Sequence, residues 1–306
     1  MNKEEIIELI KEKELELSSI TTKLTNEINS LKLELQKYEK SDCKIDTMSI
    51  DDKVELFADY FKGRDDIYPY LSVDKNDSSK KYYIPACLNE WKQGVCNKTM
   101  GKPCKTCQYR ENKPLTLDVI KSHMYNNKTI GIYPMLEDES CFFLAFDFDD
   151  KKNENNIKED VLAFASVCDK YDVPIGIEKS RSGHGIHVWI FFKTNIKAIT
   201  ARKLGSLLLS KTMEVRDNLK IDSFDRMFPN QDFMPKGGYG NLIALPFQTE
   251  PAKYGNTIFV DRNFLPIKVQ FEYLKNLSKL TEIEVFDRIK QLSSETIDLS
   301  NQELDI

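Results

Sequence analysis

The first 45 residues repeat apolar positions every three and four residues, with Ile7, Glu14, Thr21, Ile28 and Leu35 at one heptad position and Ile10, Leu17, Leu24, Leu31 and Tyr38 at the other. That period belongs to a long helix, and neither proline nor glycine interrupts it. Charged residues fill its other faces, so 1–45 predicts a coiled coil with another copy, a partner or the protein's own tail; polar Glu14 and Thr21 weaken a strong homodimer. A second helix is expected over 49–61, where Val54, Leu56, Phe57, Tyr60 and Phe61 form an apolar face ahead of Gly63. Beyond Pro114 the pattern becomes mixed. Apolar strands are predicted at 129–133, 141–148, 174–177, 186–192 and 241–246, with amphipathic helices at 157–170 and 199–219 and a helical stretch at 265–292. The reading is an α+β domain over 46–280, preceded by the 1–45 helix and followed by a helical, acidic tail at 281–306 that is loose from Ser293 onward.

Composition agrees with a globular chain: of 306 residues, 41% are apolar and 30% charged, enough to bury a real core. No run of 18 apolar residues occurs, and Met1-Asn-Lys-Glu-Glu5 lacks the apolar stretch of a signal peptide, so a cytoplasmic protein with no membrane partner is expected. A net charge of −5 argues against nucleic acid until its distribution is read. Residues 134–178 carry 12 Asp and Glu against 4 Lys and Arg, whereas 179–253 carry 12 Lys and Arg against 6 acids. A chain that holds cations in one block and polyphosphate in the next would have this order.

Four of the seven cysteines cluster as Cys87-x8-Cys96-x7-Cys104-x2-Cys107. The spacing suggests a closed structural Zn²⁺ site stapling a loop over 85–113 that is too polar to build its own core. A redox pair would leave Cys87 and Cys96 unexplained. Between Cys87 and Lys113 there are 6 basic and 2 acidic residues, so the loop could also touch a phosphate backbone. Cys43, Cys141 and Cys168 stand alone and read as structural.

The chemistry begins at Cys141-Phe-Phe-Leu-Ala-Phe-Asp147-Phe-Asp149-Asp150. Alternation places Asp147 and Asp149 on one strand face, about 6–7 Å apart at the α-carbons, within reach of one or two Mg²⁺ or Mn²⁺ ions. Ser180-Arg-Ser-Gly-His-Gly-Ile-His187 follows, a glycine loop running into an apolar strand. Its glycines allow backbone N–H groups to turn toward an anion, while Ser180, Arg181, Ser182, His184 and His187 add side-chain donors suited to a triphosphate. Glu178, just before it, is either another acid near the site or a surface residue. Asp225 is the natural third carboxylate, with Asp222 and Asp232 as rivals, and Lys236 and Asn241 could contact nucleotide or template backbone.

The order of acid pair, serine–glycine loop ending in histidine, and later aspartate resembles the three catalytic motifs of the archaeo-eukaryotic primase superfamily. Its flanks, Ala86-Cys-Leu-Asn-Glu-Trp91, Gly94-Val-Cys96, Cys104/Cys107, Tyr133-Pro-Met-Leu136, Phe228-Pro-Asn-Gln-Asp232 and Gly240-Asn-Leu-Ile-Ala-Leu-Pro246, resemble the primase domain of TOTE conflict systems and related CRISPR-associated primase-polymerases. The resemblance implies a primase catalytic core built on an RRM-like sheet, in which Asp147, Asp149 and Asp225 hold two divalent ions while His187 and the Ser182 loop bind the triphosphate. It implies a template-dependent nucleotidyltransferase, a DNA primase or polymerase acting with or without a primer. Its partners would be single-stranded DNA template, primer and nucleoside triphosphates, with a helicase or CRISPR adaptation proteins beyond them. Two other readings use the same residues: a metal-dependent nuclease, and a zinc-stapled adaptor that binds single-stranded nucleic acid without chemistry.

Overall fold

The structure is a computed structural model that describes residues 46–74, 77, 80–149, 156–216 and 221–302, together with ten positions between Ile6 and Leu24. The chain divides into two compact units, Met1–Thr47 and Met48–Ile306. In the first, all ten described positions are helical, and Ile10, Leu17 and Leu24 are exposed. The rest of the heptad seam, including Ile28, Leu31, Leu35 and Tyr38, lies outside the described residues, and the expected coiled coil with it.

The second unit opens with helix α1 (Ile50–Tyr60), whose N-terminus is capped where the Ser49 hydroxyl accepts the Asp52 N–H at 3.1 Å. Asp51 and Asp52 in its first turn suit the helix dipole, and Val54, Phe57 and Tyr60 form its buried face. Strands β1 (Pro69–Val73) and β2 (Lys81–Pro85) pair as an antiparallel hairpin that leads directly into the cysteine segment. Helix α2 (Leu117–Tyr125), capped by Thr116, precedes β3 (Gly131–Ile132). The main sheet is then built from β4 (Ser140–Asp149), β5 (Gly176–Lys179), β6 (Gly185–Lys197), β7 (Phe224–Phe228) and β9 (Phe259–Val260), while β8 (Ile243–Ala244) pairs with β3 ahead of a short helix α5 (Thr249–Ala252). Its order is β7-β4-β6-β5-β9, antiparallel throughout.

Period-two alternation on β4 divides the core into two. Leu144, Phe146 and Phe148 face a layer made by α3 (Ile157–Lys170), α4 (Ala198–Arg216) and α7 (Glu282–Gln302), packing among Phe164, Leu204, Leu208 and Val285. Phe143 and Ala145 point the other way, with Trp189 and Phe191 of β6, into a second core supplied by α1, α2 and the helix α6 (Gln270–Asn276). Fully burying each of these phenylalanines contributes on the order of 2–3 kcal/mol, so the sheet is clamped firmly from both sides. Continuing the same alternation two and four residues past Ala145 puts Asp147 and Asp149 on the second face, where the apolar packing gives out.

Two expectations need correction. The helical stretch at 265–292 is broken, because residues around Leu280 leave the helix to pair with the far half of β6: the Leu280 N–H donates to Phe191 O at 2.9 Å and the Lys193 N–H to Leu280 O at 2.8 Å. Thr281 then restarts a helix with a capping box, its hydroxyl accepting the Glu284 N–H at 3.3 Å while the Glu284 carboxylate accepts the Thr281 N–H at 2.7 Å. Nor does a separate tail begin at 281, since Val285, Ile289 and Leu292 are buried in the helical core.

Candidate active site

The site is a row across the sheet. Asp147 of β4 stands directly opposite His187 of β6 on one side and Arg226 of β7 on the other; His187 in turn stands opposite Glu178 of β5. The imidazole Nε2 lies 3.6 Å from Asp147 Oδ1, and Nδ1 lies 2.9 Å from Glu178 Oε2. Asp149 pairs with Gly185 at the end of the serine–glycine loop, and its N–H donates to Ser223 O at 2.7 Å, tying β4 to the approach of β7.

Asp225 reaches this row through an irregularity. Arg226 pairs with Asp147 and Phe224 with Phe148, so two steps along β7 match one along β4 and Asp225 is the extra residue of a β-bulge. Bulges re-aim side chains, and here Asp225 comes near enough to oppose ionisation of Asp147. Burial is the main influence raising the pKa of Asp147; the His187 charge opposes it, while Asp225 and Asp149 raise it further. Arg226 Nε holds Asp225 Oδ2 at 2.8 Å, leaving the guanidinium at the rim. Of the rivals, Asp222 is exposed, and Asp232 forms an ion pair with Arg202 Nε at 2.6 Å, whose NH1 donates to Pro229 O.

The Ser180–Gly185 turn is largely self-satisfied. The Ser180 N–H donates to Gly185 O at 2.8 Å, the Gly185 N–H to Ser180 Oγ at 3.0 Å, the Gly183 N–H to Ser180 O at 3.0 Å and the His184 N–H to Ser182 Oγ at 3.2 Å. Its glycines therefore serve close approach more than anion capture. Gly183 has φ 80°, and a Cβ on Gly185 would come within 2.9 Å of Ser180 Oγ and 3.1 Å of Phe148 O. Arg181 braces the turn from behind: its NH1 donates to Gln248 Oε1 at 3.0 Å and Thr129 Oγ1 at 3.3 Å, and the half-buried Tyr83 lies beside it. The buried Gln248, at the end of Leu-Pro-Phe-Gln, is thus the clamp for the loop. Lys236 is exposed on the glycine-rich hairpin and Asn241 is half-buried; among the described contacts neither meets the acids or His187.

The structure also brings together residues whose roles were hidden. Glu178 is 1% exposed rather than a surface acid, and a glutamate inside the apolar Ile-Gly-Ile-Glu178 strand was the available signal. Arg226 sits beside Asp225 in sequence, but only strand pairing places it opposite Asp147. Burial would lower the pKa of His187; the carboxylate of Glu178, followed by those of Asp147 and Asp149, holds it above its ordinary value.

Away from this row, Cys87, Cys96, Cys104 and Cys107 line one cavity of about 240 Å³ beside Glu90 and Lys98. Burial disfavours the Cys96 thiolate, yet the backbone N–H groups of Trp91, Lys98 and Thr99 and the Lys98 charge bring its pKa below the ordinary thiol range. Lys98 Nζ is 2.5 Å from Glu90 Oε1, which also accepts from the Tyr70 hydroxyl. Among the described residues no three acid, thiol or imidazole groups converge closely enough to coordinate an ion as they stand. Cys141 and Cys168 are buried, and burial pushes both thiols up, Cys141 to about 12.

A family model described as the archaeo-eukaryotic primase domain of TOTE conflict systems matches residues 52–287, spanning the cysteine loop, strands β4 and β6 and the first turn of α7. The chain belongs to this primase family. No curated protein matches it. The primase domain accounts for the mixed α/β architecture with its antiparallel sheet, and it makes the chain a nucleotidyltransferase-type enzyme in the broad sense, one that handles nucleic acid and nucleoside triphosphates. Among the described residues of the primase chain, no helix is long and apolar enough to cross a membrane.

Proposed function

We propose that this primase domain is a template-dependent primase-polymerase, adding nucleotides from nucleoside triphosphates to a strand on a single-stranded template, with or without a primer. The observation that carries the reading is the row Arg226–Asp147–His187–Glu178, with Asp149 and the bulged Asp225 on its acid side. Asp149 and Asp225 raise the cost of ionising Asp147, and three such hard oxygen donors suit Mg²⁺ or Mn²⁺. Bound there, divalent ions would supply Lewis acidity at the attacking hydroxyl and neutralise charge on the triphosphate.

The protein's own groups would do the rest. Asp147, Asp149 and Asp225 hold the ions; His187, through Nε2, and the hydroxyls of Ser180 and Ser182 meet the triphosphate. Arg181 keeps that turn in place through Gln248. Lys236 and Asn241 would touch nucleotide or template backbone from the hairpin. Four thiols around one cavity, one of them stabilised as thiolate by backbone N–H groups, suit a structural Zn²⁺.

The deciding experiment is incorporation of labelled nucleotides on a single-stranded template, with and without primer, in Mg²⁺ or Mn²⁺, beside Asp147→Ala/Asp149→Ala. Template-directed product lost in the variant supports the reading. Shortened template would replace it with a nuclease, and binding without product with an adaptor.

A further inference from the structure

Glu178 is a carboxylate almost wholly removed from water, at 1% exposure, and a single oxygen, Oε2, makes both of its described contacts: Trp189 Nε1 at 2.9 Å and His187 Nδ1 at 2.9 Å. The indole N–H can only donate, so Oε2 is its acceptor, and an oxygen that accepts there meets His187 Nδ1 as an acceptor as well, which needs the hydrogen on Nδ1. His187 therefore carries a proton on Nδ1, and Nε2 is the nitrogen turned toward Asp147. The indole cannot shift to follow a moving carboxylate. Trp189 is fully buried, lies parallel to Phe191 and meets the edges of Phe61 and Phe143 at centroid distances of 5.0 Å and 5.2 Å. Cross-strand pairing fixes the remaining link, since Glu178 and His187 are direct partners on β5 and β6.

We propose that Glu178 is a positioning residue: anchored by Trp189, it holds the His187 ring with Nδ1–H inward and Nε2 facing the acid row, so that a triphosphate meets the imidazole in one orientation. The same logic orients histidines through the far ring nitrogen elsewhere. The inference rests on the polymerase reading for its consequence, but the hold on the ring is a property of the protein alone.

Two readouts on the full chain test it. The first is the long-range proton–nitrogen correlation spectrum of the imidazole rings, tractable because the chain has three histidines, His123, His184 and His187, with His187→Gln assigning the signal. Wild type should show His187 protonated at Nδ1, and Glu178→Ala should lose that pattern in favour of exchanging tautomers. The second is nucleotide incorporation. Glu178→Ala should raise KM for the triphosphate by about tenfold or more with kcat changed by less than about threefold, and Glu178→Gln, whose amide oxygen can still accept, should restore most of it. Should Glu178→Ala fail to fold, Glu178→Gln and Trp189→Phe carry the test: the first should keep the ring pattern, and the second should loosen it without touching the substrate. An unchanged His187 spectrum in Trp189→Phe and Glu178→Ala, or equal KM effects in the Gln and Ala variants, would overturn the proposal. A wild-type chain without polymerase activity but with the Glu178-dependent ring pattern would instead sink the polymerase reading and leave the positioning intact.

Discussion

The acid row and the cysteine cluster gather metal-preferring ligands by opposite means. Asp147, Asp149 and His187 are held by ladder pairing on strands clamped between two apolar cores, and a bulge delivers Asp225. Cys96, Cys104 and Cys107 hang from turns and two short 3-10 segments, Asn97–Met100 and Cys104–Thr106, with local hydrogen bonds such as Cys107 N–H to Cys104 O at 3.1 Å, and Cys87 lies on an isolated bridge to Asn112. A sheet can preorganise charge without its ion, because packing elsewhere offsets the cost; a loop without a core draws its order from the ion. The acids should therefore govern chemistry with little effect on folding, and the thiols should do the reverse.

The largest expected effect is on the acid side. Asp147→Ala/Asp149→Ala should lower nucleotide incorporation by at least about 10³-fold while leaving the melting temperature unchanged or raised, since mutual repulsion is relieved. Incorporation rates and calorimetry on one preparation would check it, and a large drop in stability would erase the contrast. On the other side, Cys104→Ser/Cys107→Ser should reduce bound zinc from about one ion per chain to less than about a tenth and open 86–113 to protease, with a smaller loss of activity. Metal analysis and limited proteolysis report this. An intermediate effect is expected from His187→Ala: KM for the triphosphate up by about 10–100-fold, kcat much less changed.

Those variants also mark what could be read in advance. Helix 157–170 was legible because its apolar period is long and uninterrupted, and the acid pair because alternation alone puts Asp147 and Asp149 on one face. The hairpin β1–β2 and helix α2 were not, being short segments in a stretch dominated by cysteines, lysines and turn residues. Asp225 could be named as a candidate but not separated from Asp222 and Asp232, because the bulge that aims it exists only once β7 pairs with β4. Glu178 was ambiguous for the same reason: whether a strand glutamate is buried depends on its neighbours across the sheet.

The smallest effect lies in the scaffold below the site. His123 of α2 is fully buried, with Nε2 on Pro246 O at 2.7 Å and Nδ1 accepting the Ile130 N–H at 3.1 Å, and burial takes its pKa down to about 4. The unfolded chain takes up this proton near pH 6.5, the native chain only near pH 4, so the stability contribution is complete above pH 6.5 and is lost as pH falls through that window. From pH 7 to pH 5 this one group should remove about 2 kcal/mol, measurable by denaturant unfolding at the two pH values.

The most direct test of the central claim, that one row of the sheet with its bulged aspartate is a polymerising site, is the single-nucleotide addition rate of Asp225→Ala beside Asp222→Ala and Asp232→Ala. The geometry predicts loss of at least about 10³-fold for Asp225→Ala and less than about threefold for the other two. An active Asp225→Ala chain with a dead Asp222→Ala or Asp232→Ala would contradict it.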